Sequence, residues 1–156
     1  TQGTELFFFD HTETTPAAIK IACPTGVSGL GGARDQIETT CLDTTGDKEF
    51  AAGLGNPGQV SVPFNLIPRD ASHQDLFTLK AAGTLLDWIA CLSEDDTAPT
   101  ITGTPPAFVA PTTRSSIKFQ AYISDVNIDI ASNEIVRGTL TLQRSGDVTF
   151  FGFEPA

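Results

Sequence analysis

The chain has no methionine, one tryptophan, one tyrosine, two histidines and three cysteines in 156 residues. Each shortage excludes something. One Trp and one Tyr make a poor platform for stacking sugar rings, which argues against a carbohydrate-binding or glycosidase surface. The two histidines, His11 and His73, come with no Cys-x-x-Cys and no His pair, short of the roughly four ligands a zinc site needs. Cys23, Cys41 and Cys91 are odd in number and far apart, which argues against a disulfide framework. Each lies in or beside an apolar strand-like run, so buried free thiols are expected. Basic residues are scarce too: nine Lys and Arg face nineteen Asp and Glu, a net charge of −10. A protein that grips DNA neutralises phosphates with Lys and Arg, so tight nucleic-acid binding is excluded. Apolar runs such as 6–9 and 85–91 fall far below the ~20 residues that span a bilayer as a helix.

What is present is globular: 40% hydrophobic and 18% charged residues, at a length that predicts a single domain over 1–156. Residues 1–15 read as an arm whose Leu6, Phe7, Phe8 and Phe9 sit between polar flanks. Three consecutive aromatics cannot share one face of a strand, so at least one ring needs separate cover, within the subunit or on a neighbour. Ile19, Ile21 and Cys23 alternate as a strand ended by Pro24. Residues 26–32 read as a glycine-rich turn, 36–42 as extended, and 43–58 as a long polar connection holding Phe50 and Leu54. Val60, Val62, Phe64 and Leu66 mark a strand of period two, which Pro63 assigns to an edge or bulge. Ser72 and Asp75 resemble a capping box, and Leu76, Phe77 and Leu79 supply an apolar helix face stopped by Gly83. Residues 85–92 form an apolar strand around Trp88, and the proline-rich stretch 94–114 is an excursion. In the last third Ile117, Phe119, Ala121 and Ile123 alternate. The phase then slips to Val126, Ile128 and Ile130, predicting a bulge near Ser124 and Asp125. Residues 131–134 turn into Val136, Gly138, Leu140 and Leu142, and Ser145, Gly146 and Asp147 turn again into 148–153. The pattern predicts a mainly β fold, a sandwich or partly open barrel of antiparallel strands with one flanking helix.

Motifs of chemistry fail on inspection. Gly26-Val-Ser28-Gly29-Leu30 has Leu where a nucleophile elbow needs Gly. The glycine-rich turn lacks the Lys and Ser/Thr of a phosphate loop. Asp125-Val-Asn127-Ile-Asp129 opens like a calcium loop, but Ile130 and Val136 occupy the required Gly and Glu positions. No catalytic residue, metal site or cofactor is expected.

The ordered series Gly29-Leu30-Gly31-Gly32, Asp35, Ile37-Glu38, Thr40 and Leu42-Asp43 resembles the tail tube proteins of long-tailed, lambda-like bacteriophages. The likeness continues through Lys48-Glu49-Phe50, Gly53-Leu54, Gly58-Gln59-Val60-Ser61, Ala121-Tyr122-Ile123-Ser124 and Leu140-Thr141-Leu142 with Ser145-Gly146. It covers roughly residues 17–150 and leaves out the excursion 94–114. The resemblance implies a structural virion protein forming hexameric rings that stack into a hollow tube, a plan shared with contractile tails and type VI secretion tubes. Its partners would be other copies of itself, tape-measure, terminator and tail-tip proteins, with genomic DNA passing through the lumen. It would reside in the virion, and in the host cytoplasm during assembly. Residues 43–58 would reach the next ring. Phe7, Phe8, Phe9, Lys48, Glu49, Phe50, Leu54, Phe150, Phe151 and Phe153 are the subunit-interface candidates. Glu38, Asp125 and Asp129 are the acidic lumen candidates. The alternatives are another tail or secretion component and a non-catalytic β-sandwich binding module.

Overall fold

The computed structural model describes residues 2–43 and 45–152, which hold ten strands and one helix. The strands are β1 (Glu5–Phe9), β2 (Ile19–Lys20), β3 (Gly32–Glu38), β4 (Phe50–Pro57) and β5 (Gln59–Asn65), followed by helix α1 (Ala71–Ala82). Then come β6 (Leu86–Cys91), β7 (Thr100–Thr102), β8 (Ala107–Val109), β9 (Ser116–Asp129) and β10 (Arg137–Phe151). Six form one antiparallel sheet in the order β2-β1-β6-β9-β10-β5. Hairpins β3–β4 and β7–β8 stand outside it.

The sheet curls until its two edges meet on one short piece of chain. Ile21 donates its N–H to Leu6 O at 3.0 Å, on the β1 side. Two residues later Cys23 O accepts from Asn65 N at 3.1 Å, on the β5 side, and 25–28 go on to pair with Ser61 and Pro63. The switch happens at Ala22 and Cys23, and Cys23 takes a positive φ of 48° to make it. Both backbone groups of Ala22, left without a strand partner at the crossing, are taken by the start of α1. Its N–H donates to Ser72 Oγ at 3.2 Å and its C=O accepts from His73 Nε2 at 2.8 Å. Ile67 N–H donates to His73 Nδ1 at 3.0 Å, so this ring is neutral with its hydrogen on Nε2. This is the partly open barrel expected from the sequence, with its seam closed by the helix.

Alternation sorts side chains to two sides of the sheet. Inside the curl, Leu6, Phe8, Val60, Val62, Phe64, Leu86, Trp88, Phe119, Ala121, Leu140 and Leu142 pack with Ile21 and Leu76. Trp88 lies 4.9 Å from Phe8 between ring centroids and donates Nε1–H to Ala121 O at 3.1 Å. On the other side Phe7, Phe9, Ile89 and Cys91 are covered by Phe108 of the β7–β8 hairpin, edge-on to Phe9 at 4.7 Å. Each such burial contributes about 1.5–3 kcal/mol.

The structure corrects some sequence expectations and bears out others. The arm contains β1, an inner strand, because its aromatics find cover on both faces of their own sheet. Residues 50–57 are a strand, unreadable from alternation because neither face meets the core. The excursion 94–114 is a structured cover carrying β7 and β8. The helix N-cap is Asp70, which accepts from Ser72 N at 2.9 Å, not a Ser72–Asp75 box. Gly83 closes the helix in the left-handed region as expected. Ser124 is the bulge: register runs from Thr141↔Asp125 to Leu142↔Ile123. Ser145 to Asp147 is not a hairpin turn but a second irregularity inside β10, which continues along β9 to Phe151↔Ser116. Cys91 is buried, whereas Cys23 and Cys41 are exposed.

Candidate assembly interface

The β3–β4 hairpin projects from the barrel with almost every residue exposed. A two-stranded ribbon alone in water is marginal at best. This one nevertheless displays Ile37 and Phe50, each 55% exposed, Leu54 at 85%, and Leu42 in its connecting loop, fully exposed. Apolar side chains gathered on such an element make it a candidate contact surface. Its root is held firmly. Arg144 is 6% exposed and donates Nη1–H to the carbonyls of Gly31 and Gly29, while its backbone N–H bonds Gly58 O at 3.3 Å. Gly29 has φ 88°, and a Cβ there would lie 2.0 Å from Gln59 O, so only glycine lets the hairpin leave β5 at this angle.

The interface candidates divide on this framework. Phe50 and Leu54 lie on the hairpin, with Glu49 at its far end, where Thr39 N–H donates to Glu49 O at 2.8 Å. Lys48 pairs with Glu38 at 3.7 Å across the ribbon, so Glu38 belongs to the hairpin and its charge is partly matched there. Phe7, Phe8 and Phe9 are buried in their own chain and present nothing to a neighbour. Phe150 is half exposed near the end of β10, opposite Ile117. Phe151 lines a shallow cleft with Glu94, Arg114 and Ser115. Phe153 lies outside the described residues. Of the acidic candidates, Asp125 carries an ion pair with Lys80 of α1 at 3.0 Å, and Asp129 accepts from Asn127 Nδ2 at 3.1 Å. Among the described residues no group of three metal-ligating side chains forms.

Two cationic anchors escaped the sequence reading. Besides Arg144, Arg114 is buried at the base of the excursion. It donates to Leu92 O at 2.8 Å and Cys91 O at 3.0 Å, and pairs with Glu5 Oε2 at 3.0 Å. Desolvation pushes the Glu5 carboxyl up, but hydrogen bonds and charge from Lys20 and Arg114 outweigh it and leave it below its ordinary 4.5. The only signal in the sequence was the rarity of arginine in so acidic a chain.

The family described as "Phage tail tube, TTP, lambda-like" matches residues 1–152. The chain belongs to this lambda-like phage tail tube family. A curated relative, "Structural protein 3" of Pseudomonas phage PAJU2, is 36% identical over 149 residues, covering 94% of this chain and 89% of the relative. The fold is also that of the SPP1 tail tube, with a TM-score of 0.66 at 13% identity, covering 96% of this chain and 76% of that one. A chain from the anti-feeding prophage baseplate, six-fold symmetrised, gives a TM-score of 0.67 at 12% identity, covering 99% and 96%. This tail tube protein is therefore a structural protein of the phage virion.

Proposed function

We propose that the chain polymerises as stacked six-membered rings into the wall of a phage tail tube and carries no catalytic site. The observation that carries this reading is the β3–β4 hairpin: an apolar, solvent-surrounded ribbon on a rigid root, in a chain of the tail tube family. The ring number rests on the six-fold symmetry of the baseplate assembly that contains a chain of the same fold. Within a ring, neighbouring curled sheets join side by side. Between rings, the hairpin, with Lys48, Glu49, Phe50 and Leu54, reaches the next subunit, and Phe150, Phe151 and Phe153 add contacts at the chain end. The net charge of −10 suits a conduit for DNA, because like charge keeps the duplex from sticking to the wall. Asp125 is the lumen residue in this reading, while Asp129 lies at the barrel end opposite Arg137 and Glu38 serves the hairpin. The tube would meet tape-measure, terminator and tail-tip proteins in the virion, after assembly in the host cytoplasm. Negative-stain electron microscopy of purified protein over a concentration series tests it. Hollow filaments with a regular axial repeat are expected, and isolated capped rings at every concentration would assign the chain to a terminating role instead.

A further inference from the structure

Most of the large apolar side chains left exposed outside the core collect at two places, with Phe77, Val109, Tyr122 and Phe150 scattered elsewhere. Ile37, Leu42, Phe50 and Leu54 ride on the β3–β4 hairpin. Ile67, Ile128, Ile130 and Ile135 collect at the other end of the barrel, where Ile130 is 81% and Ile135 66% exposed. Strand register shows that the ends are opposed. The hairpin root joins β5 at Gln59, opposite Gln143 of β10. The isoleucines gather where β5 leaves at Asn65, opposite Arg137, with Asp129 of β9 alongside and Leu66 N–H bonded to Val136 O. The seven residues of β5 separate the two surfaces by about 23 Å.

Charge separates them as well. The hairpin and its loop carry Asp35, Glu38, Asp43, Asp47 and Glu49 against Arg34 and Lys48. At the isoleucine end Asp70, Asp129 and Glu134 stand beside Arg69 and Arg137, and the two arginines make no ion pair within the chain among the described residues. The acidic ribbon thus lies at the end of the barrel opposite an apolar rim whose two guanidinium groups have no ion pair among the described residues. Complementary surfaces at opposite ends of one chain favour head-to-tail contact, which extends as an open stack where the rotation does not close.

We propose that the isoleucine rim of one subunit is the seat for the β3–β4 hairpin of a second copy in the adjoining ring, with Arg69 and Arg137 facing the hairpin carboxylates. This rests on the stacked-ring reading and names the receiving surface within it. Two blocked variants test it directly. The hairpin-blocked protein carries Phe50→Asp and Leu54→Asp, and the rim-blocked protein carries Ile130→Asp and Ile135→Asp. All four positions are exposed, and matched circular dichroism and thermal unfolding verify each fold. Ile130→Ser with Ile135→Ser serves as a milder rim pair if the aspartates disturb folding. Each protein keeps one working end, so neither extends alone, while a 1:1 mixture forms a complex limited to two subunits or two rings by analytical ultracentrifugation. Adding Arg69→Glu and Arg137→Glu to the hairpin-blocked partner, which supplies the intact rim, weakens that complex at least about tenfold. A rim-blocked protein that extends like the unmodified chain, or a mixture that forms no complex, overturns the proposal. Electron microscopy of the unmodified protein reports separately on the tube itself: filaments there with no mixed complex would reject the rim while keeping the tube.

Discussion

Arg114 has no exposed side-chain surface, yet it ties three stretches of chain that lie far apart in sequence. Removing a buried cation strands the carbonyls and carboxylate it satisfied, so Arg114→Ala should cost about 3 kcal/mol in urea unfolding. The carboxylate side of the pair has a pH signature. Because the Glu5 carboxyl is lowered in the fold, its contribution is fully present above its ordinary 4.5 and is lost as pH falls through the lower folded value. Glu5→Gln should therefore lower stability at neutral pH and flatten its decline below about pH 4.5, as read from urea midpoints at a series of pH values. Cys23 shows a different residue-scale constraint, a left-handed backbone without glycine. Cys23→Gly should be neutral or slightly stabilising, and Cys23→Val should cost about 1–2 kcal/mol by thermal unfolding. In thiol labelling of the folded protein, Cys23 and Cys41 should react at once. Cys91, whose thiol pKa burial pushes up, should react only on unfolding.

At the scale of elements, the hairpin is the part whose stability and function separate. Its side chains touch little of their own chain, so Phe50→Ser with Leu54→Ser should leave the melting temperature of unassembled protein unchanged within about 2 °C while suppressing filaments. Its root behaves oppositely. Gly29→Ala forces a side chain onto Gln59 O and should both destabilise the fold and misdirect the hairpin, seen as lost protection from hydrogen exchange in 32–57. The helix is the other functional joint. Ser72 and His73 saturate Ala22 at the crossing of the two sheet edges, so α1 acts as the clasp of the barrel and does not merely cover one face.

At the scale of the whole molecule, acidity and assembly oppose one another. Subunits of charge −10 repel as they gather, and apolar contacts must overcome that repulsion. Raising salt from about 50 to 300 mM shortens the Debye length and should lower the protein concentration at which filaments appear by light scattering. A higher onset at high salt would mean that charge pairing, such as Arg69 and Arg137 to hairpin carboxylates, outweighs general repulsion.

The sequence by itself determined the mainly β fold, the bulge near Ser124 and the helix ending at Gly83. Each is a local signal: alternation against a core, a phase slip, or a residue of special backbone freedom. The ordered short motifs also carried the family. The tertiary structure alone decided that β1 is an inner strand, that 50–57 is a strand and that residues 19–28 close the barrel. It also decided that Ile128 and Ile130 continue a core-facing alternation past the end of the core into solvent. Alternation reports a strand only where one face is buried by its own chain, and it cannot say where the core stops. The surfaces that the fold leaves for other subunits become visible only once the core has claimed its share.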